Sequence, residues 1–169
     1  IPQAPLEFVT QKKRRISMIN AYKAFWKRYF DFKGRTSRGN YWWAVLAQFI
    51  ATFLVGFIAG MLDISALQTL WSLIILIPGI AMCVRRLHDI DRPGWWIILM
   101  YVPLILTMAS ITMTTASLLL NTDSTAAGGF GLLTMVLGII TLIAAVYFLI
   151  LFIRKGTEGT NRYGMPDND

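Results

Sequence analysis

Four tracts of this chain, at about 41–62, 66–84, 95–119 and 130–153, contain no Lys, Arg, His, Asp or Glu. Nothing else in the sequence constrains the fold as strongly. A helix rises 1.5 Å per residue, so about 20 apolar residues span the ~30 Å hydrocarbon core of a bilayer. A soluble core of similar average hydrophobicity is broken by charge every few positions. Here 56% of 169 residues are hydrophobic and the charges are segregated between the tracts. The pattern predicts an all-α integral membrane protein, a four-helix bundle of four spans within residues 34–155.

The cations give an orientation. All 16 Lys and Arg lie outside the spans. Ten precede the first, three stand in the central loop and three in the tail. The two short loops on the other side, near Asp63–Ser65 and over 120–129, hold none. By the positive-inside rule both termini and the central loop are expected in the cytoplasm. The net charge of +7 therefore points to anionic phospholipid headgroups rather than nucleic acid.

Residues 1–11 carry two prolines and are expected to be extended. Lys12-Lys13-Arg14-Arg15 is not followed by an uninterrupted apolar core, so the start does not read as a signal peptide. Over 12–33, Ile19, Tyr22, Trp26 and Tyr29 recur at helical spacing with Lys23, Lys27 and Arg28 between them. This predicts an N-terminal amphipathic helix in the headgroup region; the alternative is a helix packed on a partner or on the cytosolic ends of the spans. Trp26, Trp42, Trp43, Trp95 and Trp96 are placed to anchor the chain at the interface. Gly56-Phe57-Ile58-Ala59-Gly60 permits close helix contact. Pro78 is expected to kink the second span. The hydroxyls from Thr107 to Ser117 are expected to bond to the preceding turn or to a neighbouring helix. The tail 156–169 reads as irregular.

No Asp, Glu, Lys, Arg or His falls inside a span, which counts against an ion-coupled transporter and against catalysis within the bilayer. Chemistry is thereby confined to the basic face, in Arg35, Arg38, Arg85, Arg86, His88, Asp89, Arg92 and Arg162. Arg85 and Asp89, four apart, can pair on one helix face. His88 can act as acid or base with Asp89 or Asp91 orienting it. The plainer alternative is that these side chains satisfy helix ends and touch lipid. No metal-ligand spacing, nucleotide loop or nucleophile motif occurs, and no cofactor is implied. Lone Cys83 reads as a small buried hydrophobe.

Three motifs in order, Phe32-Lys33-Gly34-Arg35-Thr36-Ser37-Arg38 with Tyr41-Trp42, Arg85-Arg86-Leu87-His88-Asp89 with Arg92 and Gly94-Trp95-Trp96, and Gly159 with Asn161-Arg162-Tyr163-Gly164, resemble the DUF805 family of small bacterial inner-membrane proteins. The resemblance covers roughly 20–165. It implies a multi-span protein of the cytoplasmic membrane and no particular activity. The family commonly has Glu where this chain has Asn40, and Met165 interrupts its usual tail. All three motifs fall on the cytoplasmic side, where they are expected to form one polar cap over the helices. The leading expectation is a protein without enzymatic activity that binds anionic phospholipid, a membrane-protein partner or a second copy of itself. The alternatives are an oligomeric channel or uncoupled transporter lined by Thr112, Thr114 and Gln48, and a membrane-bound enzyme acting on lipid headgroups.

Overall fold

A computed structural model of the chain describes residues 17–120 and 124–167, with the side chains of 124–127 left aside. It contains α1 (Met18–Lys27), α2 (Arg38–Met61), α3 (Ser65–Asp89), a 3₁₀ turn over Gly94–Trp96, α4 (Ile97–Leu119) and α5 (Ser124–Ile153). Helices α2 to α5 are each long and apolar enough to cross a membrane. The expected extended segment 1–11 and the basic run 12–15 lie outside the described residues.

Local chemistry sets the boundaries. Ser17 caps α1, its hydroxyl accepting from the Asn20 N–H at 3.2 Å. Ser37 caps α2 in the same way through Asn40 at 3.3 Å. Two ends differ from expectation. The second span does not stop at 84, because α3 continues to Asp89 and carries the whole Arg85–Asp89 motif as helix. It ends in a two-bond cap: the Arg92 N–H reaches Leu87 O at 2.9 Å and the Asp91 N–H reaches His88 O at 3.1 Å. Asp91 takes the left-handed position of that cap, φ 57°, which glycine usually fills. The connection to α4 is thus a few residues, not a loop from 85. Likewise α5 starts at Ser124, inside the stretch expected to be loop.

The helices pack as two hairpins, α2 on α3 and α4 on α5, and the pairs meet mainly at the basic end. The core lies there, with Phe25, Tyr41, Met82, Leu87, Ile97, Phe148 and Phe152 packed together. Away from that end the α4–α5 contact is polar: Thr107 and Thr141 hydroxyls are 2.8 Å apart, and Thr134 bridges Thr114 and Ser110 at 3.1 Å each. In lipid such small hydroxyl residues let helices approach closely and tie them together. Gly56 serves contact within the chain: a Cβ there would sit 3.3 Å from the Gln68 amide, whereas Gly60 faces open space.

Helix α1 lies against α2 and α3, as the second of its two readings anticipates. Ala21 and Phe25 are buried, Trp26 meets Trp71, and Lys23 and Lys27 point outward, exposed. Just past its end, Tyr29 solves a problem set by Pro78. Proline has no N–H, so the carbonyl four residues earlier, Ile74, lacks its helical donor. The Tyr29 hydroxyl donates to that carbonyl at 2.6 Å.

Tyr29→Phe is therefore expected to cost about 1 kcal/mol of stability. In a Pro78→Ala background the helix supplies its own N–H and the cost should fall near zero. Detergent-solubilised unfolding of the four proteins checks this; an equal cost in both backgrounds would contradict it.

Candidate functional site, a buried arginine cap

The end of α3 presents Arg85, Arg86, His88 and Asp89 within its last five positions, all buried, with Arg86 wholly so. Arg35, from the turn between α1 and α2, is buried beside them at 3% exposure. Asp89, 4% exposed, is the hub. One carboxylate oxygen accepts from Arg35 Nε at 3.0 Å, and the other accepts from Arg86 Nη1. The helical pair is thus Arg86–Asp89, three apart, and not Arg85–Asp89. In an α-helix both spacings share a face; Arg85 is drawn elsewhere.

Each buried guanidinium spends its remaining donors on the carbonyls of a different chain end. Arg86 donates to Phe152 O through Nε at 3.2 Å and Nη2 at 3.0 Å, and also to Arg154 O. It thereby caps α5 with a positive charge where orphan carbonyls and the helix dipole favour one. Arg85 donates to Thr36 Oγ1 at 3.1 Å, to Arg28 O at 3.1 Å and to Asp31 O, closing the turn after α1. Arg35 donates to Thr157 O and Gly159 O, both at 2.6 Å, holding the tail. Five donors in a rigid fork suit arginine to this work as lysine would not.

The tail is irregular yet firmly placed. The Thr157 N–H donates to Asp89 O at 2.8 Å, and the Asn161 amide donates to His88 O at 2.9 Å. Tyr163 stacks flat on His88, ring centres 3.8 Å apart and planes 5° apart. Gly156 is needed because a Cβ there would fall 2.1 Å from the Asp89 carboxylate. Gly94 is needed because a Cβ would fall 2.6 Å from Val84.

His88 is oriented by neither aspartate. Its Nδ1 meets Gly34 O at 3.1 Å, so that nitrogen carries the proton and donates. Asp91 instead binds Arg162 at 3.1 Å, while Arg162 Nη2 donates to Asp91 O at 2.7 Å. Arg92 lies outside the cap, over the Trp96 ring at 4.8 Å. Arg38 is exposed and makes no hydrogen bond or ion pair among the described residues. It lines a polar cleft of about 490 Å³ with Ser37, Lys155, Thr157, Glu158 and Asp167. Of the tryptophans, Trp43 and Trp95 are exposed, while Trp26, Trp42 and Trp96 are half-buried against neighbouring rings. Thr112 bonds back to Met108, Thr114 faces α5 and Gln48 bonds to Thr52 on its own helix, so the three share no path within one chain.

Sequence reasoning named Thr36 only as a cap and motif residue, and did not single out Gly156, Thr157 or, as a contact, Asp167. Asn40 is explained by the last of these: its amide donates to the Asp167 carboxylate at 3.0 Å, where a glutamate would repel it. Burial would raise the Asp31 carboxyl, but hydrogen bonds from the Arg28 side chain and the Lys33 N–H, with the Arg28 charge, hold it below the usual carboxylate range. The stability it lends the turn is complete above the ordinary carboxylate pKa. It is lost as pH falls through the lowered folded value.

Four apolar helices closed at one end by a buried arginine–aspartate cap define a small multi-pass membrane protein. The family model described as "Protein of unknown function (DUF805)" matches residues 29–165, and the chain belongs to that family. It is similar to the Escherichia coli K12 proteins named "Inner membrane protein YhaH", 36% identical over 85 residues, 47% of this chain and 70% of YhaH, and "Inner membrane protein YhaI", 29% identical over 145 residues, 85% of this chain and 91% of YhaI. It also resembles "Uncharacterized protein YiiR" of the same strain, 31% identical over 142 residues, 83% of this chain and 88% of YiiR. No solved structure matches.

Asp89→Ala leaves two buried guanidiniums without their counter-charge and is expected to cost about 3–5 kcal/mol. Arg162→Ala breaks an exposed pair and should cost no more than about 1 kcal/mol. Thermal unfolding in detergent checks both; similar costs would contradict the ranking.

Proposed function

We propose that this is a protein of the bacterial inner membrane whose basic end faces the cytoplasm and binds anionic phospholipid headgroups. One observation carries the reading. The buried arginines are spent on Asp89 and on carbonyls, yet the same end still exposes Lys23, Lys27, Lys33, Arg38, Arg92, Arg154, Lys155 and Arg162 against only Asp91 and Glu158 among the described acids. The opposite end exposes no lysine or arginine. Each cation near an anionic leaflet contributes about 1 kcal/mol, falling off within a Debye length. The names of YhaH and YhaI support the membrane, and the positive-inside rule supports the orientation.

The cap itself supports architecture rather than catalysis. Both Asp89 oxygens are occupied by arginines, and neither Asp89 nor Asp91 orients His88. A general acid or base needs a free site within hydrogen-bond reach of substrate.

Native mass spectrometry of protein extracted into mild detergent with equal phosphatidylglycerol and phosphatidylcholine tests the reading. Phosphatidylglycerol is expected to be retained at least tenfold over phosphatidylcholine. The Lys23→Gln, Arg38→Gln, Lys155→Gln triple variant should lose most of that preference. Equal retention of the two lipids would overturn the proposal. A fluorescent protein fused after Asp169 should fluoresce only if the tail is cytoplasmic.

A further inference from the structure

Three hollows border α2 and share lining residues. The first is the polar cleft at its start, rimmed by Arg38 and Lys155. The second is a neck of about 20 Å³ between α1 and α2, lined by Ala21, Ala24, Asn40 and Ala44. The third is a groove of about 450 Å³ between α2 and α3. Asp167 lines both cleft and neck, and Phe25 and Met82 line both neck and groove.

Resting on the headgroup reading, we infer that this run is the seat of one anionic phospholipid, its phosphate at Arg38 in the cleft and one acyl chain in the groove. The wall chemistry changes as such a molecule's does, from Arg38 and Lys155 to Val45, Phe49, Ile75 and Leu76. The length fits as well. From Tyr41 to Thr52, both lining the groove, α2 rises about 16 Å, close to the ~15 Å hydrocarbon depth of one leaflet.

The chain's own carboxylate marks the place of the phosphate. Asp167 accepts from the Asn40 amide at 3.0 Å and from the Ser37 N–H at 3.4 Å, so an acceptor of negative charge already sits beside the start of α2. Glu158 and Asp89 also line the cleft. They are held by Lys155 at 2.6 Å and by Arg35 and Arg86, which leaves Arg38 as the cation for an incoming phosphate. At about 20 Å³ the neck has room for about one water and not for an acyl chain; the lipid therefore seats along the outer side of α2 when Asp167 withdraws and its phosphate takes over the Asn40 and Ser37 donors.

Gly79 gives a clean test. It lines the groove, and a Cβ there meets nothing within 4 Å, so Gly79→Leu starts its side chain into open space, narrows the groove and improves helix propensity. Gly138 on α5 is equally unobstructed but lies outside the groove, so Gly138→Leu is the control. By native mass spectrometry, wild type and Gly138→Leu are expected to hold one tightly bound phosphatidylglycerol. Gly79→Leu should hold it at least tenfold more weakly while melting no lower than wild type, and glycerol 3-phosphate should not compete. Undiminished retention by Gly79→Leu alongside loss in Arg38→Ala would overturn the groove while leaving the headgroup reading standing. Competition by glycerol 3-phosphate at equal affinity would show a free-phosphate site and likewise overturn it. No preference for phosphatidylglycerol in wild type would sink the headgroup reading itself.

Discussion

One carboxylate holds the architecture together. Asp89 receives Arg35 and Arg86 on its two oxygens, and those arginines hold the tail and the end of α5. Its backbone oxygen takes the Thr157 N–H as well. Lipid supplies no hydrophobic drive to bring apolar helices together, so a membrane bundle depends on packing and hydrogen bonds. Here the two hairpins meet mostly where this network and its surrounding aromatic core lie. Taking charges out of water is costly, and only a fully bonded set of partners offsets that cost. The carbonyl, carboxylate and hydroxyl partners of the three guanidiniums form such a set.

The spans were legible from the four charge-free tracts because hydrocarbon tolerates no alternative. The hydroxyls of α4 bond as their spacing suggested, to the preceding turn and across to α5. The residues of the cap were legible as one group on the basic face, but not their pairings. A charged run between two spans reads as a loop, yet Arg85–Asp89 is the last turn of α3, since arginines can be buried when carbonyls from distant segments come to them. Those carbonyls belong to Phe152, Thr157 and Gly159. Main-chain acceptors leave no signature in composition, so neither the Arg86–Asp89 pairing nor the ordered tail was visible in advance. The same holds for Tyr29 and Pro78: sequence shows that a proline orphans a carbonyl, not which hydroxyl finds it.

Asn40 shows how a departure from a family pattern becomes intelligible. A glutamate would complete a capping box with Ser37. This chain keeps the Ser37 half of the cap and uses position 40 to hold Asp167. The start of α2 is thereby tied to the tail, next to Arg38, which makes no ion pair among the described residues. Structure and proposed function meet there: the buried cations build the cap, and the exposed ones remain for the membrane.

The central claim is that Asp89 couples the turn before α2 to the tail after α5. Hydrogen exchange read by mass spectrometry on Asp89→Asn, against wild type in the same detergent, tests it most directly. The account predicts that amides of 34–37 and of 156–164 lose protection together while the interiors of α2, α4 and α5 keep theirs. Loss in the tail alone, with 34–37 protected as in wild type, would contradict it.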